Sequence, residues 1–228
     1  MILTVTLNTA LDLTYAVPAL VPHSSHRVNE VTERPGGKGV NVARVLSALG
    51  HDTVVTGFAG GSTGTVLREL LGALPHGPTD ALVTVAGNTR RTLAVVDRSS
   101  GDTTQLNEPG PHIGAGEWAA FLGTFRDLLP RAVAVALCGS LPPGVHVGAY
   151  AELVRLARSA EVPVLLDTGG EPLRRGIAAR PDLVKPNAEE LAQLTGAREP
   201  LRATRDARRR GAHSVVTSLG PDGLLAVT

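Results

Sequence analysis

Apolar and polar positions along the chain follow two periods. Unbroken apolar runs such as residues 133–138 are typical of buried strands, whereas the apolar spacing between Gly39 and Gly50 indicates an amphipathic helix. The two patterns predict strands over 2–7, 53–58, 82–86, 89–96, 103–107, 133–138, 162–167, 183–185, 214–218 and 224–227, and further helices over 63–71, 118–129, 147–159, 172–179, 187–195 and 202–210. Because strands alternate with helices of this length, we expect an α/β fold with three layers around a mostly parallel sheet.

The composition is that of a globular protein. Of 228 residues, 43% are hydrophobic and 19% are charged, which provides for one large core and excludes wholesale disorder. The 22 basic and 21 acidic residues leave a formal net charge of +1, so no overall field attracts nucleic acid or an anionic membrane. We therefore expect a single domain over residues 1–228 and neither nucleic acid nor membrane as a partner.

Targeting signals and cysteine usage bear on the compartment. No apolar run reaches the length of a membrane span, and the strand-like start of the chain lacks the basic region of a signal peptide. The single cysteine, Cys138, cannot form an internal disulfide, and we expect it to be a buried strand residue rather than a reactive thiol. These observations favour a cytoplasmic location.

Polar and glycine-rich loops follow several predicted strands, at the sheet edge where open α/β proteins bind ligands. They contain Asn8 and Asp12, and residues 139–144, 167–170, 185–187 and 219–223. Because these loops share one edge of the sheet, the sequence predicts a binding site there.

The segment Gly36-Gly37-Lys38-Gly39 opens a predicted helix. Free backbone N–H groups at such a position favour an anionic or hydroxyl-rich ligand, and glycine allows its close approach; an ordinary tight turn is the alternative. A Walker A loop is excluded because Gly39 occupies the position of its Ser or Thr. Only Lys38 and Lys185 among the 22 basic residues are lysine, which indicates either a need for a compact ammonium at these positions or a chance choice.

Asn187 and Glu190 lie three residues apart at the start of another predicted helix. This spacing is typical of a capping box, in which the two side chains satisfy free backbone N–H groups. The same spacing presents two oxygen ligands to a hydrated Mg²⁺. Taken alone, the pattern favours the cap.

Several segments occur in a fixed order along the chain: Thr6 to Asp12, Gly36 to Ala43, Thr89-Arg90, Asn107 to Gly110, Gly139 to Gly144, Asp167-Thr168, Lys185 to Leu191 and Ser218 to Gly223. In this order they resemble the ribokinase-like sugar kinases, and among them the phosphofructokinase B branch that contains 1-phosphofructokinase and tagatose-6-phosphate kinase. The resemblance covers the whole chain. It implies a ribokinase-like three-layer sandwich with a small β lid built from about residues 14–33 and 82–107, through which a homodimer would form.

The resemblance also implies residue roles. It assigns sugar-phosphate binding to Asp12, Arg27, Gly37, Lys38, Asn41, Arg90 and Ser140, ATP binding to Lys185, Asn187, Ser218, Gly220 and Gly223, and Mg²⁺ to Glu190 and Asp167. A guanidinium binds phosphate through two parallel hydrogen bonds, which suits Arg27 and Arg90 to the phosphate already on the substrate.

The departures from the family pattern concern the choice of sugar. Thr9, Thr92 and Gly170 stand where the branch usually has Pro, Asn and Ser. These differences leave the identity of the sugar phosphate open.

The family's Gly-Ala-Gly-Asp signature supplies the anion-hole amides and the general-base aspartate. No segment after Gly223 resembles it, and the chain ends at Thr228 directly after a predicted strand. We therefore expect the C-terminal part of the fold to be missing and the general-base aspartate to lie beyond Thr228. We assign no catalytic residue within these 228 residues, and expect the chain alone to be largely inactive.

The function implied is transfer of the γ-phosphoryl group of ATP, with Mg²⁺, to a ketohexose phosphate. Fructose 1-phosphate, giving fructose 1,6-bisphosphate, is the favoured substrate. A tagatose-6-phosphate kinase and a truncated, non-catalytic sugar-phosphate-binding protein are the alternatives. A dinucleotide-dependent oxidoreductase is disfavoured, because the nearest match to the glycine fingerprint, at 114–119, follows a proline-rich segment instead of a strand.

Overall fold

A computed structural model describes residues 1–228. Its strands are β1 (Ile2–Thr6), β2 (Ala10–Val17), β3 (Glu30–Gly36), β4 (Thr53–Gly60), β5 (Thr79–Val85), β6 (Arg90–Asp97), β7 (Thr103–Asn107), β8 (Ala134–Cys138), β9 (Val164–Asp167), β10 (Leu183–Val184), β11 (Ser214–Ser218) and β12 (Leu224–Val227). Its helices are α1 (Lys38–Ala48), α2 (Gly61–Gly72), α3 (Ala115–Leu128), α4 (Ala149–Ser159), α5 (Gly170–Ala178), α6 (Ala188–Thr195) and α7 (Pro200–Arg209).

Eight strands form the main sheet, in the order β12-β11-β10-β9-β8-β1-β4-β5. All neighbouring strands are parallel except β11 and β12. This arrangement confirms the mostly parallel sheet that the alternation of strands and helices predicts. None of the helices combines the length and the apolar composition needed to cross a bilayer.

Apolar residues on opposite faces of the main sheet enter different clusters. On β4, Val54 and Phe58 belong to a core of 29 buried residues that includes Phe121 of α3 and Tyr150 of α4. Val55, the neighbour of Val54, packs on the other face with residues of α1 and α2 in a cluster of seven. Because successive strand residues point to opposite faces, helices cover both sides of the sheet, as the three-layer prediction requires.

Strand β12 forms one edge of the main sheet and ends one residue before Thr228. It pairs with β11 in the antiparallel sense, with Val215 opposite Val227. The strand predicted over 224–227 is therefore present. Its side chains are exposed or half-buried, and Leu224 is 70% exposed.

Four strands form a second, smaller sheet, in the order β3-β2-β6-β7. Asp12 on β2 lies opposite Thr92 on β6, and Thr92 lies opposite Asn107 on β7. All three side chains face the space between this small sheet and the main sheet. The small sheet contains most of the strand residues that the sequence predicts for a lid.

The predicted bounds of the lid need correction. Residues 82–85 belong to the main sheet, where β5 pairs with β4 in parallel. They lie there because Leu82 and Val85 are buried in the two apolar clusters of the main sheet. The small sheet also begins earlier than predicted. It starts at Ala10, because β2 follows β1 after a turn of only three residues, Leu7 to Thr9.

Candidate functional site

A cavity of about 750 Å³ lies between the two sheets, beyond the carboxyl ends of β1, β8 and β9. Of its 16 lining residues only Leu141 is hydrophobic. The residues that line this central cavity are Asn8, Asp12, Gly37, Lys38, Asn41, Arg90, Thr92, Gln105, Asn107, Gly139, Ser140, Leu141, Thr168, Gly169, Pro172 and Glu190. A polar lining of this kind suits a hydrophilic ligand.

Most of the residues predicted to bind a sugar phosphate meet in the central cavity. They are Asp12, Gly37, Lys38, Asn41, Arg90 and Ser140. The exception is Arg27, which is exposed in the connection between β2 and β3 and does not line the cavity. The prediction for Arg27 is therefore not supported within a single copy of the chain.

Gly37 places the first turn of α1 against the cavity. Its φ of 106° is left-handed, and an added Cβ would lie 2.7 Å from the methyl carbon of Thr6. Only glycine fits both constraints. The consequence is that Lys38, the first residue of α1, projects into the central cavity.

Arg90 and Asp12 bring opposite charges to the cavity wall. Burial raises the pKa of Asp12, while the charge of Arg90 and a hydrogen bond from Thr92 act in the opposite direction. Burial lowers the pKa of Arg90, but a guanidinium stays charged at neutral pH. Arg90 donates from Nε to the backbone oxygen of Asn8 at 3.3 Å and from Nη1 to Thr92 Oγ1 at 3.2 Å, and its Nη2 has no partner within the chain.

The two lysines of the chain pair with one buried carboxylate. Asp167, which is 6% exposed, contacts Lys38 Nζ at 2.9 Å through one oxygen and Lys185 Nζ at 3.1 Å through the other. Glu190 Oε1 lies 3.9 Å from Lys38 Nζ. Burial acts to lower the pKa of Lys38, but the hydrogen bond and charge of Asp167, with the charge of Glu190, raise it overall.

A second groove, of about 580 Å³, lies beside the β11–β12 turn. It is lined by Asn187, Ala188, Glu189, Ser218, Leu219, Gly220, Gly223 and Leu224. Four of the residues predicted to bind a nucleotide are among them: Asn187, Ser218, Gly220 and Gly223. Lys185, the fifth, does not line this groove, because its ammonium pairs with Asp167.

Asn187 and Glu190 form the capping box of α6. Asn187 Oδ1 accepts the backbone N–H of Glu190 at 2.8 Å, and Glu190 Oε2 accepts that of Asn187 at 2.9 Å. The cap predicted from the spacing is therefore present. Only Oε1 of Glu190 remains for another ligand, and Glu190 also lines the central cavity.

The acidic residues do not form a ready metal centre. No three His, Cys, Asp or Glu side chains lie close enough together to hold an ion. Each oxygen of Asp167 pairs with an ammonium group, and its predicted role at Mg²⁺ stays a prediction. Glu190 fits better, since Mg²⁺ in phosphoryl-transfer sites commonly takes one or two carboxylates and completes its shell with water and phosphate.

Several cavity residues had no role in the sequence-based assignment. Asn8, Thr92 and Gln105 line the cavity, and the sequence alone predicts no binding role for them. Gln105 and Asn107 stand two residues apart on β7, and the alternation of side chains along a strand places them on one face. That alternation could have indicated both residues, once the strand was known to border the site.

Comparisons with known proteins agree with this geometry. A family model for pfkB family carbohydrate kinases matches residues 4–228. The chain belongs to the pfkB family of carbohydrate kinases. It is 40% identical to a 1-phosphofructokinase of Rhodobacter capsulatus over 232 aligned positions, covering 99% of this chain and 73% of that relative.

Solved structures place this pfkB-family chain among the ribokinase-like kinases. Phosphofructokinase-2 from Escherichia coli in complex with fructose-6-phosphate matches with a TM-score of 0.89 and 31% identity, covering 99% of this chain and 76% of that one. The tetrameric inhibited form of the same enzyme matches with a TM-score of 0.88, 30% identity and the same coverage. A ribokinase from Arabidopsis thaliana shares the fold, with a TM-score of 0.73 at 21% identity, and covers 99% of this chain and 73% of its own. The predicted family and fold class are confirmed.

The expected position of the catalytic base concerns sequence outside residues 1–228. The chain spans 73% of the length of the Rhodobacter capsulatus relative and 76% of that of the Escherichia coli enzyme. The general-base aspartate expected beyond Thr228 therefore stays a prediction. Within the chain, the carboxylates that border the central cavity are those of Asp12 and Glu190. Asp167 does not line the cavity but pairs with Lys38, which does.

Proposed function

We propose that this pfkB-family protein transfers the γ-phosphoryl group of ATP to a hydroxyl of a ketohexose phosphate. Fructose 1-phosphate is the proposed acceptor, and fructose 1,6-bisphosphate the product. The observation that carries the proposal is the central cavity, in which Arg90 and Lys38 offer positive charge and Asp12 offers a hydrogen-bond acceptor. The 40% identity to a 1-phosphofructokinase favours this sugar phosphate over others.

The cavity residues suit the two ends of such a substrate. The free Nη2 of Arg90 and the exposed hydroxyl of Ser140 can donate to phosphate oxygens. The carboxylate of Asp12 can accept hydrogen bonds from sugar hydroxyls. Asn41 Oδ1 already accepts from Arg44, so its amide nitrogen is left as a donor. Together these groups would bind and orient the sugar phosphate.

The second groove is the proposed nucleotide site. Asn187, Ser218, Gly220 and Gly223 line it, and Lys185, two residues before Asn187, pairs with Asp167. Bound ATP would supply the phosphoryl group, and Glu190 would hold Mg²⁺. Lys38 Nζ contacts both Asp167 and Glu190, and its residue lines the central cavity, so its charge can stabilise negative charge that develops between the two substrates.

The small sheet has a proposed role of its own. Thr92, Gln105 and Asn107 line the wall of the cavity opposite the main sheet. A sheet in that position would keep water away from the transferred phosphoryl group. The small sheet as a dimer surface and a cytoplasmic location are further parts of the proposal.

A second candidate function is sugar-phosphate binding without turnover. It is favoured by the state of two acidic side chains near the cavity: Asp167 pairs with two lysines, and Glu190 caps α6. Neither of these carboxylates stands ready as a general base.

A coupled ATPase assay on the full reading frame would separate the candidates. Fructose 1-phosphate, fructose 6-phosphate and tagatose 6-phosphate would each be offered with ATP and Mg²⁺. We expect the highest kcat/KM with fructose 1-phosphate. Highest activity with tagatose 6-phosphate would make that sugar phosphate the acceptor instead of fructose 1-phosphate. Binding of a sugar phosphate with no turnover would favour the second candidate function. Absence of both binding and turnover would contradict the proposal.

A further inference from the structure

Asn8 joins separate segments of the chain at the wall of the central cavity. It follows β1, lines the cavity and is 7% exposed. Its Nδ2 donates to Ser140 Oγ at 3.0 Å, in the loop after β8, and to the backbone oxygen of Pro109 at 3.3 Å. Its own backbone oxygen accepts from Arg90 Nε.

The carboxamide of Asn8 is held in one orientation. Gly110 has a φ of 90°, and an added Cβ there would lie 2.2 Å from Asn8 Oδ1, so the turn packs directly against this side chain. Asn8 Oδ1 is buried and has no hydrogen-bond partner. A buried amide oxygen without a partner is costly, so its presence at the wall of the cavity calls for an explanation.

The hydrogen bond to Ser140 determines what that hydroxyl can do. Because Ser140 Oγ accepts a hydrogen from Asn8, its own proton is free to be donated elsewhere. Ser140 is exposed and lines the cavity, so the free proton is available to a ligand there. A hydroxyl that donates suits phosphate oxygens, which only accept.

We infer that Asn8 is a positioning residue that fixes Ser140 as a hydrogen-bond donor to the sugar phosphate. This inference rests on the proposed function, because it takes the ligand of the central cavity to be a ketohexose phosphate. Asn8 acts through Ser140, and its side chain makes no contact with the nucleotide groove.

A double-mutant cycle with Asn8→Ala and Ser140→Ala tests the inference, with fructose 1-phosphate and ATP titrated separately by calorimetry. We expect each single variant to raise the Kd for fructose 1-phosphate by roughly tenfold, as for one lost hydrogen bond to a charged group. The Kd of the double variant for fructose 1-phosphate should not exceed that of the weaker-binding single variant, because both changes remove the same hydrogen bond from Ser140. The Kd for ATP should stay unchanged throughout.

A buried threonine of the main sheet provides a control. Thr56 on β4 is buried, and its hydroxyl donates to the backbone oxygen of Ala81 at 2.8 Å and does not line the cavity. Thr56→Val should lower the melting temperature without changing the Kd for fructose 1-phosphate. If Asn8→Ala fails to fold, Asn8→Asp keeps the shape, removes both donors, and should weaken sugar-phosphate binding at least as much as Ser140→Ala.

The outcomes separate this inference from the proposed function. An unchanged Kd for the Asn8 variant, additive effects in the cycle, or an equal loss of affinity for both ligands would each overturn the inference and leave the proposed function standing. If the unmodified chain binds none of fructose 1-phosphate, fructose 6-phosphate and tagatose 6-phosphate, both are overturned. If it binds fructose 1-phosphate but not ATP, only the proposed function is contradicted.

Discussion

Both lysines of the chain contact the same carboxylate, although arginine is used at every other basic position. Lys38 is the first residue of α1, where the positive end of the helix dipole disfavours a cation. Asp167 and Glu190 offset that effect and hold Nζ at the cavity wall. A compact ammonium can contact both carboxylates and still face a ligand, which a planar guanidinium cannot do in the same space.

Replacing Lys38 by arginine should therefore weaken sugar-phosphate binding. We expect Lys38→Arg to raise the Kd for fructose 1-phosphate by about tenfold, because the bulkier group loses one charge-assisted hydrogen bond and crowds the cavity. Lys185→Arg is the matched control, since Lys185 contacts the same carboxylate from outside the central cavity. Calorimetric titration of both variants provides the comparison, and equal affinities would show that lysine is not required at position 38.

The thiol of Cys138 should be unreactive in the folded protein. It is 1% exposed at the end of β8, and burial raises the pKa of its thiol to about 12. The reactive thiolate is therefore nearly absent at neutral pH. We expect no reaction with a thiol-specific reagent such as Ellman's reagent until denaturant is added, after which one thiol per chain should react. Rapid labelling of the native protein would contradict the buried position.

The sequence indicated most of the residues that bring charge to the central cavity, but not the details of their contacts. Gly37, Lys38 and Arg90 stand in recognisable motifs, so their positions could be predicted. Asn8 could not be assigned, because its role depends on Ser140 and Pro109, which are more than 100 positions away in the chain. Arg27 lies away from the cavity of its own chain, in the connection between β2 and β3. Its position could not be predicted, because that connection has no regular pattern that indicates where its side chains lie.

At the scale of single elements, α6 combines a structural role with a candidate metal role. Glu190→Gln should keep the capping box, since glutamine serves at that position, whereas Glu190→Ala should cost about 1 kcal/mol of unfolding free energy. Urea denaturation of both variants measures the difference. Equal destabilisation by both changes would show that the negative charge, rather than the hydrogen bond, stabilises the helix start.

The same element tests which carboxylate binds Mg²⁺. Glu190→Gln should raise the Mg²⁺ concentration needed for half-maximal ATP binding, because an uncharged amide group takes the place of the carboxylate whose Oε1 is free for the ion. Asp167→Asn is the control, and it should leave that concentration unchanged, because the oxygens of Asp167 pair with lysines. The opposite ranking would assign the ion to Asp167 and mean that the lysines move away when ligands bind.

Strands of the main sheet were easier to predict than those of the small sheet. A strand such as β8, whose side chains are mostly buried, appears in the sequence as an unbroken apolar run. In the small sheet, β7 is exposed along its whole length and β3 is mostly exposed, so neither has a strong apolar pattern. The sequence does not separate β5 from the small sheet, because strands of both sheets follow one another along the chain and only their pairing distinguishes them.

At the scale of the whole molecule, two sheets enclose a cavity that neither could form alone. The loop after β8 of the main sheet supplies Ser140, the start of α1 supplies Lys38, and the small sheet supplies Asp12 and Arg90. Arg90 donates to the backbone of Asn8, so the sheets are joined at the cavity wall. Ligand affinity and the position of the small sheet should therefore change together.

Residues 1–228 should bind both substrates yet transfer the phosphoryl group slowly. General-base catalysis typically contributes about 10²–10⁴ in rate, and two of the carboxylates next to the cavity already have partners: Asp167 pairs with two lysines, and Glu190 caps α6. The chain up to Thr228 also contains no Gly-Ala-Gly-Asp segment, the motif expected to supply that base. Turnover would be measured with fructose 1-phosphate and compared with that of the Rhodobacter capsulatus relative, with calorimetry to confirm that the ligands bind. A turnover number within about tenfold of that of the relative would contradict this expectation, because the loss of a general base would lower the rate by more than that. The variants Asp12→Asn, Asp167→Asn and Glu190→Gln would then identify which carboxylate accepts the proton.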